Sequence, residues 1–259
     1  MAKAEADANR IQAESQIEIT DLQKRALRRF VGEEGIKQSN MEAITRDAIP
    51  LLEDQSKPQN VEDDWIAAFF DKCRIVSDSD MQKLWAKVLA REVNTPGAIS
   101  RRTLSLLADL EKTDAELFKR LCGFRWTIQE DIPVVLDVQH NIYNRENIGF
   151  SSLSHLESRG LIQFGNLAGF VRLKLPKTVT VSYFSRIVTL TFQLEADNPL
   201  EIGKVRFTRA GDELSRICGA EPVEGFFEYV YDVWAAKTLV PKRDIEQDAP
   251  GSAPKVGQL

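Results

Sequence analysis

Two histidines, His140 and His155, and three cysteines, Cys73, Cys122 and Cys218, are the side chains here best suited to bind a metal or move a proton. Neither histidine has a cysteine, histidine or acidic neighbour at a spacing such as CxxC or HExxH, so the sequence offers no zinc site. His155 stands beside Leu153 and Leu156, on or near an apolar face, and is expected to be a partly buried structural residue. The cysteines are odd in number and far apart, which suits reduced, buried thiols in the cytoplasm better than a disulfide framework. Glu62, Asp63 and Asp64 are consecutive carboxylates, but adjacent helical residues point in different directions, and first-turn acids already complement the helix dipole. The glycines form neither GxGxxG nor GxxxxGK, so no nucleotide loop is indicated. No cofactor and no catalytic constellation follow from these residues.

Charge gives the remaining chemistry. Arg101 and Arg102 follow Ser100 at an expected helix start, where cations are mildly unfavourable, and are expected to lie exposed near Lys87 and Arg91. They are candidate contacts for an anionic partner. Arg172, Lys174, Lys177 and Arg186 form a second candidate group beside an expected β-hairpin. The net charge of −5 supplies no global attraction to nucleic acid or anionic lipid, so any such contact must be local.

The elements that must position these residues fall into two kinds. Residues 2–34 are rich in Ala, Glu, Gln, Lys and Arg and predict one long helix, with Ile11, Ile19, Leu22, Ala26 and Phe30 on one stripe. Gly32 and Gly35 are expected to weaken it before a second apolar stretch from Met41 to Leu52. A bundle follows over residues 60–125, with expected caps at Asn60, Ser79, Ser100 and Thr113 and a core of Trp65, Phe69, Phe70 and Trp85. Beyond Trp126 the periodicity changes. Strands are expected at 133–138, 161–164, 178–184, 187–193 and 204–207, the third and fourth as a hairpin. A weak helix is expected over 139–144, one capped by Ser151 or Ser152 and ending at Gly160, one opened by Thr208, and a last one over 223–236. Residues 239–259 lack aromatics and are expected to be disordered. The fold class is therefore mainly α with an α+β part, divided as 1–59, 60–125, 126–238 and a tail.

SSLSHLESRGLIQFGN, the hairpin and KVRFTRAGDELSRI together resemble a winged-helix domain, in which a helix ends at a Gly before an apolar strand and a threonine caps the final helix. On a larger scale, four segments look like the bacterial family known as domain of unknown function 2806. They are DDWIAAFFDKCRIVSDSDMQKLWAKVLAREVNTPGAISRRTL, FSSLSHLESRGLI, LAGFVRLKLP and PVEGFFEYV. That resemblance spans residues 2–238 and implies a helical front half and a winged-helix-like back half, without an activity. Members extend further ahead of KAEADANRI, which leaves room for an apolar element before Met1. WIAAFFDKCRIVSDSDMQKLWAKVLA is also similar to helices of abortive-infection proteins of the alpha type, which implies a setting in phage defence.

The function expected from these features is non-enzymatic interaction or assembly, with a protein partner and homo-oligomerisation through residues 2–34. A DNA-binding regulator is the alternative. It ranks lower because the expected recognition helix carries only Arg159 and His155 as cation-capable side chains, too few for phosphate tracking. An enzyme with an unrecognised site ranks third. No apolar run reaches the roughly 20 residues a membrane helix needs, so no membrane span is expected and the location is read as cytoplasmic.

Overall fold

Strong helix formers from Asp21 to Ala48 make one 28-residue helix, α1, in the computed structural model, which describes residues 21–237. Residues 2–20 of the expected arm and residues 239–259 of the expected tail lie outside the described residues. The helix runs unbroken through Gly32 and Gly35, which were expected to weaken it. Each glycine costs a helix about 1 kcal/mol relative to Ala, which the surrounding Arg, Leu, Glu and Lys positions tolerate. A Cβ on either would meet nothing, so this part of α1 stands in open space. Only Asn40, Ile44 and Ala48 of α1 are buried. A short 3-10 turn, Ile49–Leu51, ends the helix where Pro50 removes a donor.

Four helices follow: α2 (Asp63–Cys73), α3 (Ser79–Asn94), α4 (Arg101–Ala108) and α5 (Lys112–Cys122). Their apolar spacings place Trp65, Phe69 and Trp85 together, with ring centroids 5.2 and 5.4 Å apart, as the sequence predicts for core residues; Phe70 is half-buried. Asn40 joins α1 to this layer, donating to the Arg74 carbonyl at 2.9 Å and accepting from Gln82 at 3.2 Å. The caps differ from expectation at several ends. Asp78, not Ser79, caps α3, accepting from the N–H groups of Asp80 and Met81, because its longer side chain reaches both donors from the residue outside. Glu62 and Glu111 precede α2 and α5 in place of Asn60 and Thr113, and Asn60 belongs to a 3-10 turn, Pro58–Asn60. Ser100 caps α4 as expected, its hydroxyl accepting from the Thr103 N–H.

The second half supplies β1 (Arg125–Ile128), β2 (Glu130–Pro133), α6 (Asn141–Asn144), α7 (Phe150–Ser158), β3 (Ile162–Phe164), β4 (Phe170–Leu175), β5 (Thr178–Tyr183), β6 (Arg186–Thr191), β7 (Asn198–Gly203), β8 (Val205–Phe207), α8 (Arg209–Ser215) and α9 (Phe226–Lys237). Three small antiparallel sheets result, ordered β2-β1-β5-β6, β3-β8 and β4-β7. The hairpin β5–β6 forms as expected, with the turn one residue earlier, at Phe184 and Ser185. The expected strand over 133–138 is replaced by the β1–β2 hairpin, which reverses at Gln129 (φ 64°). Strands β4 and β7 were not expected, since NPLEIG carries Asn, Pro, Glu and Gly and lacks a strand's usual composition. α7 starts at Gly149, where Ser152 reaches back to the Gly149 N–H at 2.8 Å.

Two glycines fix how these sheets meet. Gly203 (φ 93°) sits against the backbone of Val135, and any Cβ there would collide with the Val135 carbonyl. Gly211, in the first turn of α8, lies so close to the Leu161 carbonyl that a Cβ would overlap it. Trp126 on β1 packs against Tyr183, Phe227 and Trp234 at 5.0–5.4 Å, which holds α9 on the four-stranded sheet. A continuous cluster of buried residues runs from Ile44 on α1 to Trp234 on α9.

Candidate functional site

The least satisfied surface is the N-terminal part of α1. Helical spacing carries the buried face at Asn40, Ile44 and Ala48 back through Lys37, Glu33, Phe30, Ala26 and Leu22, at steps of three and four residues. Nothing covers that continuation among the described residues. Leu22, Phe30 and Ile36 are 68%, 58% and 62% exposed, and Leu27 and Val31 beside them are also exposed. Leu27, Val31 and Ile36 lie off the stripe read from the sequence, since alternation with Arg and Glu hides them. Basic Lys24, Arg25, Arg28 and Arg29 occupy the first half of this surface and acidic Glu33 and Glu34 the second. Arg29 lies 3.6 Å from Glu33 and Lys37 2.7 Å from Glu34; that hydrogen bond from Lys37 holds the Glu34 carboxyl below the usual range.

The residues expected to meet an anion are not gathered into one patch. Arg101 lies 3.5 Å from Asp64, whereas Arg102 is exposed with no ion-pair partner among the described residues. Lys87, expected near them, instead lines a different cleft, beside Cys218. Arg172 pairs with Glu130 at 2.5 Å and with Gln129 at 3.0 Å. Lys177 pairs with Glu195 at 2.6 Å. Arg186 pairs with Glu228 at 2.6 Å and lies 3.5 Å above the Phe227 ring. Lys174, at a bulge in β4 with φ 59°, is exposed and without an ion-pair partner among the described residues. Arg172 and Lys174 belong to one sheet and Arg186 to another.

The expected recognition helix holds its two cation-capable side chains, both still partly exposed, on one buried carboxylate. His155 Nε2 meets Asp114 Oδ1 at 2.5 Å, Arg159 Nε meets Oδ2 at 3.2 Å, and the Glu111 N–H donates to the same carboxylate. Burial pushes the Asp114 carboxyl up, but the His155 hydrogen bond, the Glu111 N–H and the Arg159 charge outweigh it and hold the group below its ordinary value. The Asp114 side chain is 4% exposed and that of His155 41%. This triad fastens α7 to α5. His140 has an equally local role, its Nδ1 accepting from the Ile142 N–H while its ring stacks on Tyr229 at 4.2 Å.

Other buried carboxylates are also spent on backbone and hydroxyl donors. Glu92 accepts from the N–H groups of Gly97 and Ile99. Glu213 on α8 accepts from the Ser100 N–H, the Thr103 hydroxyl and Arg209, and so ties α8 to the start of α4. Among the described residues no three His, Cys, Asp or Glu side chains converge as a metal site would require, and no helix is long and apolar enough to cross a membrane.

No curated protein and no solved structure matches the chain. A family model described as a protein of unknown function (DUF2806) matches residues 24–231, which span the free helix, the helical layer and the sheets up to α9, and the chain belongs to that family.

Proposed function

We propose that the chain is a non-enzymatic assembly protein that pairs with a second copy of itself along the free face of α1. The observation that carries this is the unpaired continuation of a buried helix face, flanked by exposed Leu27, Val31 and Ile36. An isolated helix in water is marginal, and apolar surface of this extent is stabilised by a partner. The order of charges selects the partner. In an antiparallel pair centred near Arg29, Leu22 comes opposite Ile36 and Arg25 opposite Glu33, so at both ends of the seam apolar meets apolar and a cation meets a carboxylate.

Light scattering across micromolar concentrations tests the proposal. The parent chain gives a dimer, R25E and E33K each reduce its mass toward the monomer, and the two changes together restore it. A parent mass that stays monomeric overturns the assignment.

The back half serves this assembly as a winged-helix-like contact unit. What supports it is local: Gly160 (φ 77°) turns the chain just after α7, β3 pairs with β8, and Thr208 both accepts from the Gly211 N–H and donates to the Gly160 carbonyl. DNA regulation ranks second, because His155 and Arg159 are engaged by Asp114 and three of the four hairpin-side cations have acidic partners. Gel shifts at low and physiological salt separate the two, since sequence-selective binding that disappears on neutralising Arg172, Lys174, Lys177 and Arg186 favours the regulator. A cytoplasmic setting in phage defence is part of the proposal and rests on the similarity of the central helices to abortive-infection proteins.

A further inference from the structure

A cleft of about 320 Å³ lies between α3, α5 and the segment after α8. Helical spacing puts two rows of lysine along it, Lys83 and Lys87 on α3 and Lys112 and Lys119 on α5. At one end the rows are bridged. The Asp80 carboxylate takes Lys112 at 2.6 Å and Lys83 at 3.2 Å, and Asp78 takes Lys112 as well, at 3.4 Å. The hydrogen bonds from Lys112 and then Lys83 hold the Asp80 carboxyl below its usual range, so this carboxylate is already engaged.

Further along both helices the bridge is missing. The Lys87 and Lys119 side chains have neither an ion pair nor a hydrogen bond among the described residues, and Glu116 pairs with none of the four lysines. Lys119 is exposed, but Lys87 is half-buried. The Lys87 ammonium lies against the segment after α8, where Gly219 (φ 70°) makes room for it: a Cβ there would come within 2.9 Å of Nζ. Drawing an ammonium part-way out of water without giving it an acceptor is unfavourable. The remaining lining supplies no acceptor, since Met81, Leu84 and Ala115 are apolar and the Cys218 thiol donates to the Ser215 carbonyl at 3.3 Å. Four cations thus face two carboxylates, and the surplus is concentrated on Lys87 and Lys119.

We propose that this end of the cleft binds a phosphate group carried by a small molecule, with Lys87 and Lys119 as its contacts and the phosphate oxygens in the bridging place that Asp80 fills between Lys112 and Lys83. Two unpaired ammonium groups match a dianion, and a phosphate monoester carries between about −1.5 and −2 at neutral pH. Lysine serves such a group as a compact point charge, without the planar fork that arginine needs. The volume lies at the small end of the range for small-molecule sites, enough for a diphosphate or a phosphate ester and too little for a folded partner. The site goes beyond the pairing on α1, which involves a different element.

Isothermal titration of the full chain with inorganic pyrophosphate, at fixed ionic strength, tests the site. Binding should be saturable, and K87M and K119M should each weaken it by at least about tenfold, because each removes one charge-assisted contact and keeps the apolar stem. Added sodium chloride should weaken it further. R102A, which removes an exposed cation elsewhere, should bind as the parent does. So should F30E on the face of α1, whether or not that variant loses mass in light scattering, which separates this site from the assembly. Absence of saturable binding to the parent overturns the proposal, as does binding that K87M and K119M leave unchanged or that R102A weakens equally. A phosphoserine peptide bound more tightly than pyrophosphate overturns the small-molecule assignment. Circular dichroism checks the fold of each variant, and K119M, at an exposed position, decides alone if K87M does not fold.

Discussion

Helix α7 and the N-terminal half of α1 both combine cations with apolar side chains, yet they dispose of them in opposite directions. On α7, Leu153 and Leu156 are buried, and His155 and Arg159 converge on the carboxylate of Asp114. On α1, Leu22, Leu27 and Phe30 stand exposed beside Lys24, Arg25, Arg28 and Arg29, and the nearest acids are on the same helix. A residue's capacity for contact therefore depends on whether the fold has already given it a partner. The expected recognition helix has its His155 and Arg159 engaged by Asp114, and the expected assembly helix keeps its apolar side chains uncovered among the described residues.

Substitutions should separate the two regions by what they damage. The largest loss of stability is expected at Trp85, where truncation to Ala removes a fully buried ring packed on Phe69 and should cost about 3–5 kcal/mol in urea unfolding. Next comes the α7 strut. Asp114→Ala leaves His155 and Arg159 without their acceptor and should cost about 2 kcal/mol while leaving the mass of the folded assembly unchanged. A comparable loss of mass at unchanged stability would place the partner surface on α7 instead.

The same carboxylate gives a pH signature. Its folded-state pKa lies below its ordinary value of 3.8, so its contribution is fully present above that value and is lost as pH falls through the lower folded value. The acid limb of the stability curve should therefore flatten below about pH 4 in Asp114→Asn, read by denaturation at a series of pH values. An acid limb that Asp114→Asn leaves unchanged would show that the triad does not fasten α7.

At the other end of the scale, Phe30→Glu should change stability by less than about 0.5 kcal/mol, since the side chain touches little within its own chain, while lowering the mass measured by light scattering. The smallest effect is expected at Arg102→Ala, exposed and unpaired among the described residues: within about 0.5 kcal/mol in unfolding and no change in mass. A measurable loss of mass there would move the partner surface to the start of α4.

Local patterns carried much of this architecture. Helices α2 to α5, the β5–β6 hairpin and the Thr208 and Ser100 caps follow from spacing, turn residues and short side-chain reach, which act within a few residues of the chain. The core aromatics were legible for the same reason, because Trp65, Phe69 and Trp85 repeat on helical faces that must be buried. Strands β2 and β7 were not, since EDIP and NPLEIG are poor strand sequences; β2 forms because it folds back on the neighbouring β1, and β7 because the more distant β4 offers a backbone partner. Of the candidate contacts, the sequence supplied the cations, but only the tertiary structure assigned their partners. Glu130, Glu195 and Glu228 are carried to Arg172, Lys177 and Arg186 by chain folding over separations that no local spacing encodes. Propensity and periodicity are properties of neighbouring residues, and so the sequence alone determined where the helices lie. Burial and charge pairing depend on which surfaces meet, and so only the packed chain decided that Asp114 engages His155 and Arg159 of α7 and that α1 keeps a face uncovered among the described residues.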